Sequence, residues 1–208
     1  MMRNSIWVVS TAALLLAACA SGTQAAATAS EDLPAATATE ASVQEAPSEE
    51  PAATPAPFEL SSPAFENDGV LPDRYSCLGE NVSPELNWGD PPEGTQSMVL
   101  IFDDPDAPGG SWVHWVVYNL PPEARGLPEA VAPNEELPGG GVQGANSWGT
   151  TLYGGSCPPE RANHRYVFFL YALDTELAFE NNPNKNAVLA AMDGYILAQT
   201  ELYANFTR

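Results

Sequence analysis

Positive charge is what this sequence has least of. Only 7 Lys and Arg stand against 27 Asp and Glu in 208 residues, for a formal net charge of −20. No basic cluster exists to neutralise a phosphate backbone, which excludes nucleic acid as a partner. The same scarcity leaves nothing to adsorb the surface to anionic lipid. Histidine is rarer still, with 2 in the chain, and there are 3 cysteines. No apolar run is long enough to cross a bilayer, since Ile6 to Ala17 is too brief even with its flanks. HExxH, GxSxG and SxxK patterns are absent, which removes the common metalloprotease and serine-hydrolase signatures, and no cofactor is implied.

What is present falls into three parts. Residues 1–18 read as a secretory signal, with Arg3 ahead of the apolar stretch and small residues at its end. Leu16-Ala17-Ala18-Cys19 resembles a bacterial lipobox, in which Cys19 becomes the lipidated first residue. Two or more acyl chains anchor stably where one is marginal, so the expectation is a protein tethered in the cell envelope, outside the cytoplasmic membrane. An ordinary signal peptide is the alternative. Residues 19–57 are almost wholly Ala, Thr, Ser, Pro and Glu, without aromatic or basic residues. Such a stretch buries too little apolar area to offset its conformational entropy, and reads as a disordered spacer with a reach of roughly 30–40 Å.

Residues 58–208 have the size of one domain and enough apolar residues for a core. Short apolar runs between Pro- and Gly-rich turns favour an all-β fold. Glu85–Trp88, Ser97–Phe102, Val113–Asn119 and Arg165–Leu173 are the clearest strands, and the long connection from Leu120 to Pro159 has little periodicity. Helical spacing of Val188, Leu189, Met192 and Ile196 predicts helix over Asn184–Thr200, capped by Asn184, with Gly194 able to divide it; Glu201–Phe206 reads as a last strand. Cys77 and Cys157 either pair, closing a long loop, or stay as two separate thiols.

Both histidines head strands. Period-two alternation puts Trp112, His114, Val116 and Tyr118 on one face, and Val113, Trp115 and Val117 on the other. In the later strand His164, Tyr166, Phe168 and Leu170 share a face. The strand over Met98–Phe102 ends in Asp103-Asp104-Pro105-Asp106-Ala107-Pro108, a turn stiffened by its prolines and able to hold a cis X-Pro bond. A carboxylate fixed there, beside an imidazole, favours the protonated ring. Asp106 is the expected Asx cap of the turn. Gly154-Gly155-Ser156-Cys157-Pro158-Pro159 supplies glycines whose N–H groups can form an anion nest, with prolines stiffening the wall.

The blocks DDPDAPGGSWVHW and GGSCPPERANHRY together resemble the phosphatidylethanolamine-binding protein family, in particular its bacterial Raf-kinase-inhibitor-like branch, from Phe58 to the C-terminus. The resemblance implies a β-sandwich of two packed antiparallel sheets with peripheral C-terminal helices. It also implies a ligand pocket at Asp104, Ala107, Trp112, His114, Gly155, Cys157, Pro158, Pro159, His164 and Tyr166, taking phosphate-like groups such as phosphoethanolamine. Tyr195 stands where many bacterial relatives carry a histidine at the pocket rim. The function expected is non-catalytic binding of a small anion, with a phospholipid headgroup among the candidate ligands. Inhibition or modulation of an envelope or host protein such as a protease is the alternative. Less favoured is a hydrolase using His114, His164 and Asp104 around a metal, or an Asp–His pair activating a serine.

Overall fold

A run of eight residues with no exposed member, Ser97–Asp104, forms strand β4, and its uniform burial follows from its place at the heart of the larger sheet. The computed structural model describes residues 57–133, 137 and 139–208. The expected signal 1–18, the lipidated Cys19 and all but the last residue of the spacer lie outside the described residues.

In chain order the strands are β1 (Leu60–Ser61), β2 (Gly69–Val70), β3 (Leu86–Trp88), β4, β5 (Trp112–Leu120), β6 (Gly126–Leu127), β7 (Val142–Gln143), β8 (Asn163–Leu173) and β9 (Ile196–Thr207), with helix α1 (Lys185–Met192) before the last. Six strands form one sheet in the order β2-β9-β8-β4-β5-β7, and β1-β3-β6 form a second. Pairing is antiparallel throughout except for β2 against β9. Leu60, Leu86, Trp88 and Leu127 of the small sheet pack against Leu100, Phe102, Phe168 and Leu170 of the large one. On the other face Val188 and Met192 of α1 cover Val99, Ile101, Val116 and Leu173. Each fully buried Leu, Ile, Val or Phe contributes about 1.5–3 kcal/mol relative to exposure. The all-β sandwich expected from the sequence is therefore what forms.

Three expectations change. The helix stops at Met192 rather than Thr200: Gly194 takes a left-handed φ of +84°, and from Ile196 the chain pairs along β8 as far as Thr207. Local helical spacing loses to a ladder that would otherwise leave the edge of β8 open. Among the described residues α1 is the only α-helix, besides a 3-10 turn at Asp73–Tyr75. No cis peptide bond occurs among them, so both prolines after Asp104 follow trans bonds.

The third change is a bulge. Phe102 of β4 pairs with Trp115, but Asp103 pairs with Val113, so His114 is the extra residue on β5. The face assignment shifts accordingly. Trp115 and Val117 join the core between the sheets, whereas Val116, Val113 and Tyr118 face α1. His114 turns inward and stands 5.2 Å from Phe102 and 5.3 Å from Tyr166, centroid to centroid.

Candidate functional site

Adjacent aspartates at the end of β4 point to opposite faces, and this divides their work. Asp103 faces the helix side, where its carboxylate accepts from Ser111 Oγ at 2.7 Å and from Lys185 Nζ at 2.5 Å. Asp104 faces the sandwich end. Its Oδ1 accepts from Asp106 N–H at 3.0 Å, and its Oδ2 lies 2.8 Å from His164 Nδ1. An ionised carboxylate only accepts, so that ring nitrogen donates. Both side chains are nearly sealed from solvent, at 8% and 5% exposure. The Asx cap of the turn is thus Asp104, not Asp106. Asp106 reaches instead across to β8 and accepts from Arg165 N–H at 2.9 Å.

Among the described residues no carboxylate hydrogen-bonds to His114. Its Nδ1–H donates to the Gly154 carbonyl at 2.8 Å. Burial pulls its pKa down, against the opposing pull of that carbonyl and of Asp104 and Asp103. The ring is neutral near pH 7 with its proton on Nδ1, so Nε2 presents a lone pair. A buried imidazole beside carboxylates is here an acceptor first and a cation only after taking up a proton. Trp148 meets it edge-on at 5.2 Å and meets Trp112 at 5.4 Å.

Beneath them lies Tyr166, wholly buried. Its hydroxyl and Ser156 Oγ are the buried side-chain oxygens that lack a hydrogen-bond partner among the described residues. Burial, followed by the charge of Asp104 and the pull of its carboxylate on the phenol proton, pushes the Tyr166 pKa well up, while Ser156 and the Cys157 N–H pull the other way. The phenol keeps its proton and remains a donor.

These groups border a cavity of about 520 Å³ at the end of the sandwich. Of the ten residues expected at the pocket, Asp104, Ala107, Trp112, His114, Cys157, Pro158, Pro159 and His164 line it. Tyr166 lies beneath and Gly155 is set back. A second cleft of about 500 Å³ is bordered by Lys185, but that amine already serves Asp103.

The glycine nest does not form. Gly154 N–H donates to the His114 carbonyl at 2.9 Å and Gly155 N–H to Asn81 Oδ1 at 2.6 Å. The glycines serve close approach instead. A Cβ on Gly154 would sit 2.4 Å from the Trp148 ring, and one on Gly155 2.5 Å from Asn81 Oδ1. Nor does Tyr195 reach the rim. It lies beside Leu173, at the opposite end of β8 from His164, roughly 30 Å along the strand at the usual rise.

Arg208 and Trp148, which no sequence motif marks, also line the cavity. Arg208 follows β9, whose Thr207 pairs with Asn163, and this register carries the guanidinium to the mouth beside His164. Its Nη1 is 3.7 Å from Cys157 Sγ. Only that pairing places it there. Trp148 lies in the aperiodic connection, where only the Gly-rich surroundings hint at close packing. Cys77 and Cys157 are joined as a disulfide, with Cα atoms 5.4 Å apart, which resolves the choice left open by the sequence. Among the described residues no group of three His, Cys, Asp or Glu side chains is arranged to hold a metal. His114, His164 and Asp104 therefore do not make the two-histidine, one-carboxylate site.

Comparison with known proteins adds relatives over the same span. The family described as Phosphatidylethanolamine-binding protein matches residues 61–207. A UPF0098 protein of Methanothermobacter thermautotrophicus is 48% identical over 149 residues, covering 72% of this chain and 98% of its own length. One from Aquifex aeolicus is 42% identical, covering 73% and 89%. A crystal structure of a phosphatidylethanolamine-binding protein homologue from Chlamydia trachomatis aligns with a TM-score of 0.67 at 40% identity, over 73% of this chain and 97% of that one. E. coli YbcL, described as a member of the mammalian family, aligns with a TM-score of 0.67 at 33% identity, over 73% and 98%.

Proposed function

Because this chain belongs to the phosphatidylethanolamine-binding protein family, we propose that it binds a small phosphate-like anion at the sandwich end and performs no chemistry on it. The observation that carries this reading is the pair of buried oxygens, on Tyr166 and Ser156, that make no close hydrogen bond among the described residues, beside a cavity that Arg208 borders. Buried polar groups are nearly always satisfied, and an exception is explained when a ligand supplies the partner. The phenol donates to an anionic oxygen, and the guanidinium adds charge-assisted bonds. His114 Nε2 accepts from a protonated oxygen of the ligand. Asp104 gives an attached ammonium, as in phosphoethanolamine, something to meet.

Binding alone accounts for these groups. Asp104 and His164 form the carboxylate–imidazole half of an acyl-transfer triad, but among the described hydrogen bonds no serine hydroxyl reaches either histidine. The acidic domain repels anions at long range, so capture rests on short-range geometry. A lipid anchor on Cys19 would hold this cavity outside the cytoplasmic membrane.

Calorimetry with inorganic phosphate and with phosphoethanolamine tests the reading. Weak binding is expected, falling about tenfold in Arg208→Gln, as for the loss of one bond to a charged group. It should vanish when His114→Ala and Tyr166→Phe are combined. Unchanged affinity in that double variant refutes the site.

A further inference from the structure

The disulfide stands in the wall of the cavity. Cys157 lines it together with Pro158 and Pro159, and both Cys77 and Cys157 are exposed at their positions. Most buried structural cystines are sealed by packing; this one is open to a reagent in solution. The guanidinium of Arg208, 3.7 Å from Cys157 Sγ, stabilises negative charge on that sulfur rather than on Cys77. Low basicity of the departing thiolate speeds exchange, so Cys157 is the better leaving group.

Opening the bond does not release the two segments. Cys77 N–H donates to the Ser156 carbonyl at 3.1 Å, Tyr153 Oη donates to the Tyr75 carbonyl at 2.7 Å, and Gly155 N–H is held by Asn81. The thiols stay side by side and re-oxidation needs no refolding. Other charged or titratable groups around Cys157 include Asp104, His114 and His164 in the cavity, Tyr166 beneath it, and on its own segment Glu160 and Arg161, whose N–H donates to the Arg208 carbonyl. On the Cys77 side Arg74 and Glu80 pair with each other. Arg208 is the cation lining the cavity on which both Cys157 and a bound anion would draw.

We propose that Cys77–Cys157 is an exchange site for a dithiol reductant, and that its reduction weakens anion binding because the Cys157 thiolate and the ligand compete for Arg208. This rests on the anion-binding reading above. A thiolate of the dithiol attacks Cys77 Sγ, the S–S bond breaks, and the electron pair leaves on Cys157 Sγ. The second thiol of the reductant, deprotonated, then attacks the mixed disulfide and expels Cys77, which takes up a proton. The dithiol ends as a disulfide and the protein cystine, with two electrons gained, as a thiol and a thiolate paired with Arg208.

The test is phosphate calorimetry on the full chain, oxidised and reduced by dithiothreitol, each pair compared at one pH. Wild type should bind about tenfold more weakly when reduced at about pH 8, the equivalent of losing one charge-assisted bond. That ratio should fall toward one at about pH 6, as the thiolate takes up a proton. In Arg208→Gln both forms should bind weakly and alike. Equal affinity of oxidised and reduced wild type overturns the proposal, as does an undiminished ratio in Arg208→Gln. Absence of phosphate binding to oxidised wild type counts against the anion site itself. The exchange chemistry then has its own readout: in Cys77→Ser, the pH midpoint for iodoacetamide alkylation of Cys157 should rise when Arg208→Gln is added. An unmoved midpoint refutes the role of the guanidinium.

Discussion

Replacing Tyr166 by Phe should make the ligand-free protein more stable, not less. The ring keeps its neighbours, 5.7 Å from Phe102 and 5.3 Å from His114, so no cavity opens. What disappears is a hydroxyl that makes no close hydrogen bond among the described residues, in a residue that is 0% exposed. A buried polar group left unsatisfied costs about 1–3 kcal/mol. The nearby Asp104 carboxylate, Ser156 hydroxyl and Cys157 N–H, which partly compensate the phenol hydroxyl, argue for the lower end, so a gain of about 1 kcal/mol is expected. In a domain of this size that corresponds to a midpoint roughly 2–4 °C higher. Urea unfolding, with an unchanged slope and a higher midpoint, is the assay. Phosphate affinity should move the opposite way, because the same hydroxyl is the donor the ligand loses. Opposite signs identify a group retained for function at the expense of stability. A loss of 1 kcal/mol or more in the ligand-free variant would mean the hydroxyl supports the fold, and the argument for a ligand beneath the cavity would go with it.

Two further outcomes are expected. Burial holds His114 below its ordinary 6.5, so between the folded value and 6.5 the unfolded chain binds the proton and the folded one does not; stability is full above 6.5 and is lost as pH falls through the folded value, by at most about 1.4 kcal/mol per pH unit. Urea midpoints of wild type and His114→Gln, followed from about pH 7.5 to 5, should show the acid loss only in wild type, and parallel curves would refute it. Gly155→Ala should lower stability by about 1–3 kcal/mol, because its Cβ meets Asn81 Oδ1 at 2.5 Å and the Tyr75 carbonyl at 2.7 Å, whereas Gly109→Ala, with nothing within 4 Å, should melt like wild type. Thermal unfolding of the pair decides whether close approach is what that glycine provides.

Much of this protein can be read from the chain because its strands are long and locally consistent. Ser97–Asp104 and Asn163–Leu173 carry uninterrupted apolar patterns, and the period-two face of His164, Tyr166, Phe168 and Leu170 survives folding intact. Asn184 is legible as a cap, since its side chain accepts from Ala187 N–H. Residues 196–200 are not legible, because what makes them a strand is the edge of β8, whose pairing residues Leu170–Leu173 lie well back in the sequence. The glycines at 154 and 155 carry two meanings that sequence cannot separate, an N–H donor free for an anion or a gap for a neighbouring side chain. Only the positions of Trp148 and Asn81 choose between them. Arg208 escapes notice for a related reason: its place depends on the register of β9, not on any motif of its own.

The residue most affected by non-local geometry is also the one that completes the site. Strict alternation along β5, counted from Trp115 in the core, would send His114 to the α1 face beside Val116. There it would join the helix-facing layer, away from Asp104 and His164. The extra residue opposite Phe102 reverses this and turns His114 inward, onto the side of the sheet that already carries Asp104, His164 and Tyr166. A bulge leaves one backbone position outside the regular ladder. Here the His114 carbonyl is taken up by Gly154 N–H, and its ring N–H by the Gly154 carbonyl. The GG turn and the bulge are therefore one device: Gly154 satisfies the displaced histidine, and its missing side chain admits Trp148 at the cavity mouth. Residues forty positions apart are thereby tied into a single wall, which explains why the two histidine-bearing blocks carry so much of the chemistry and why neither block alone defines a site.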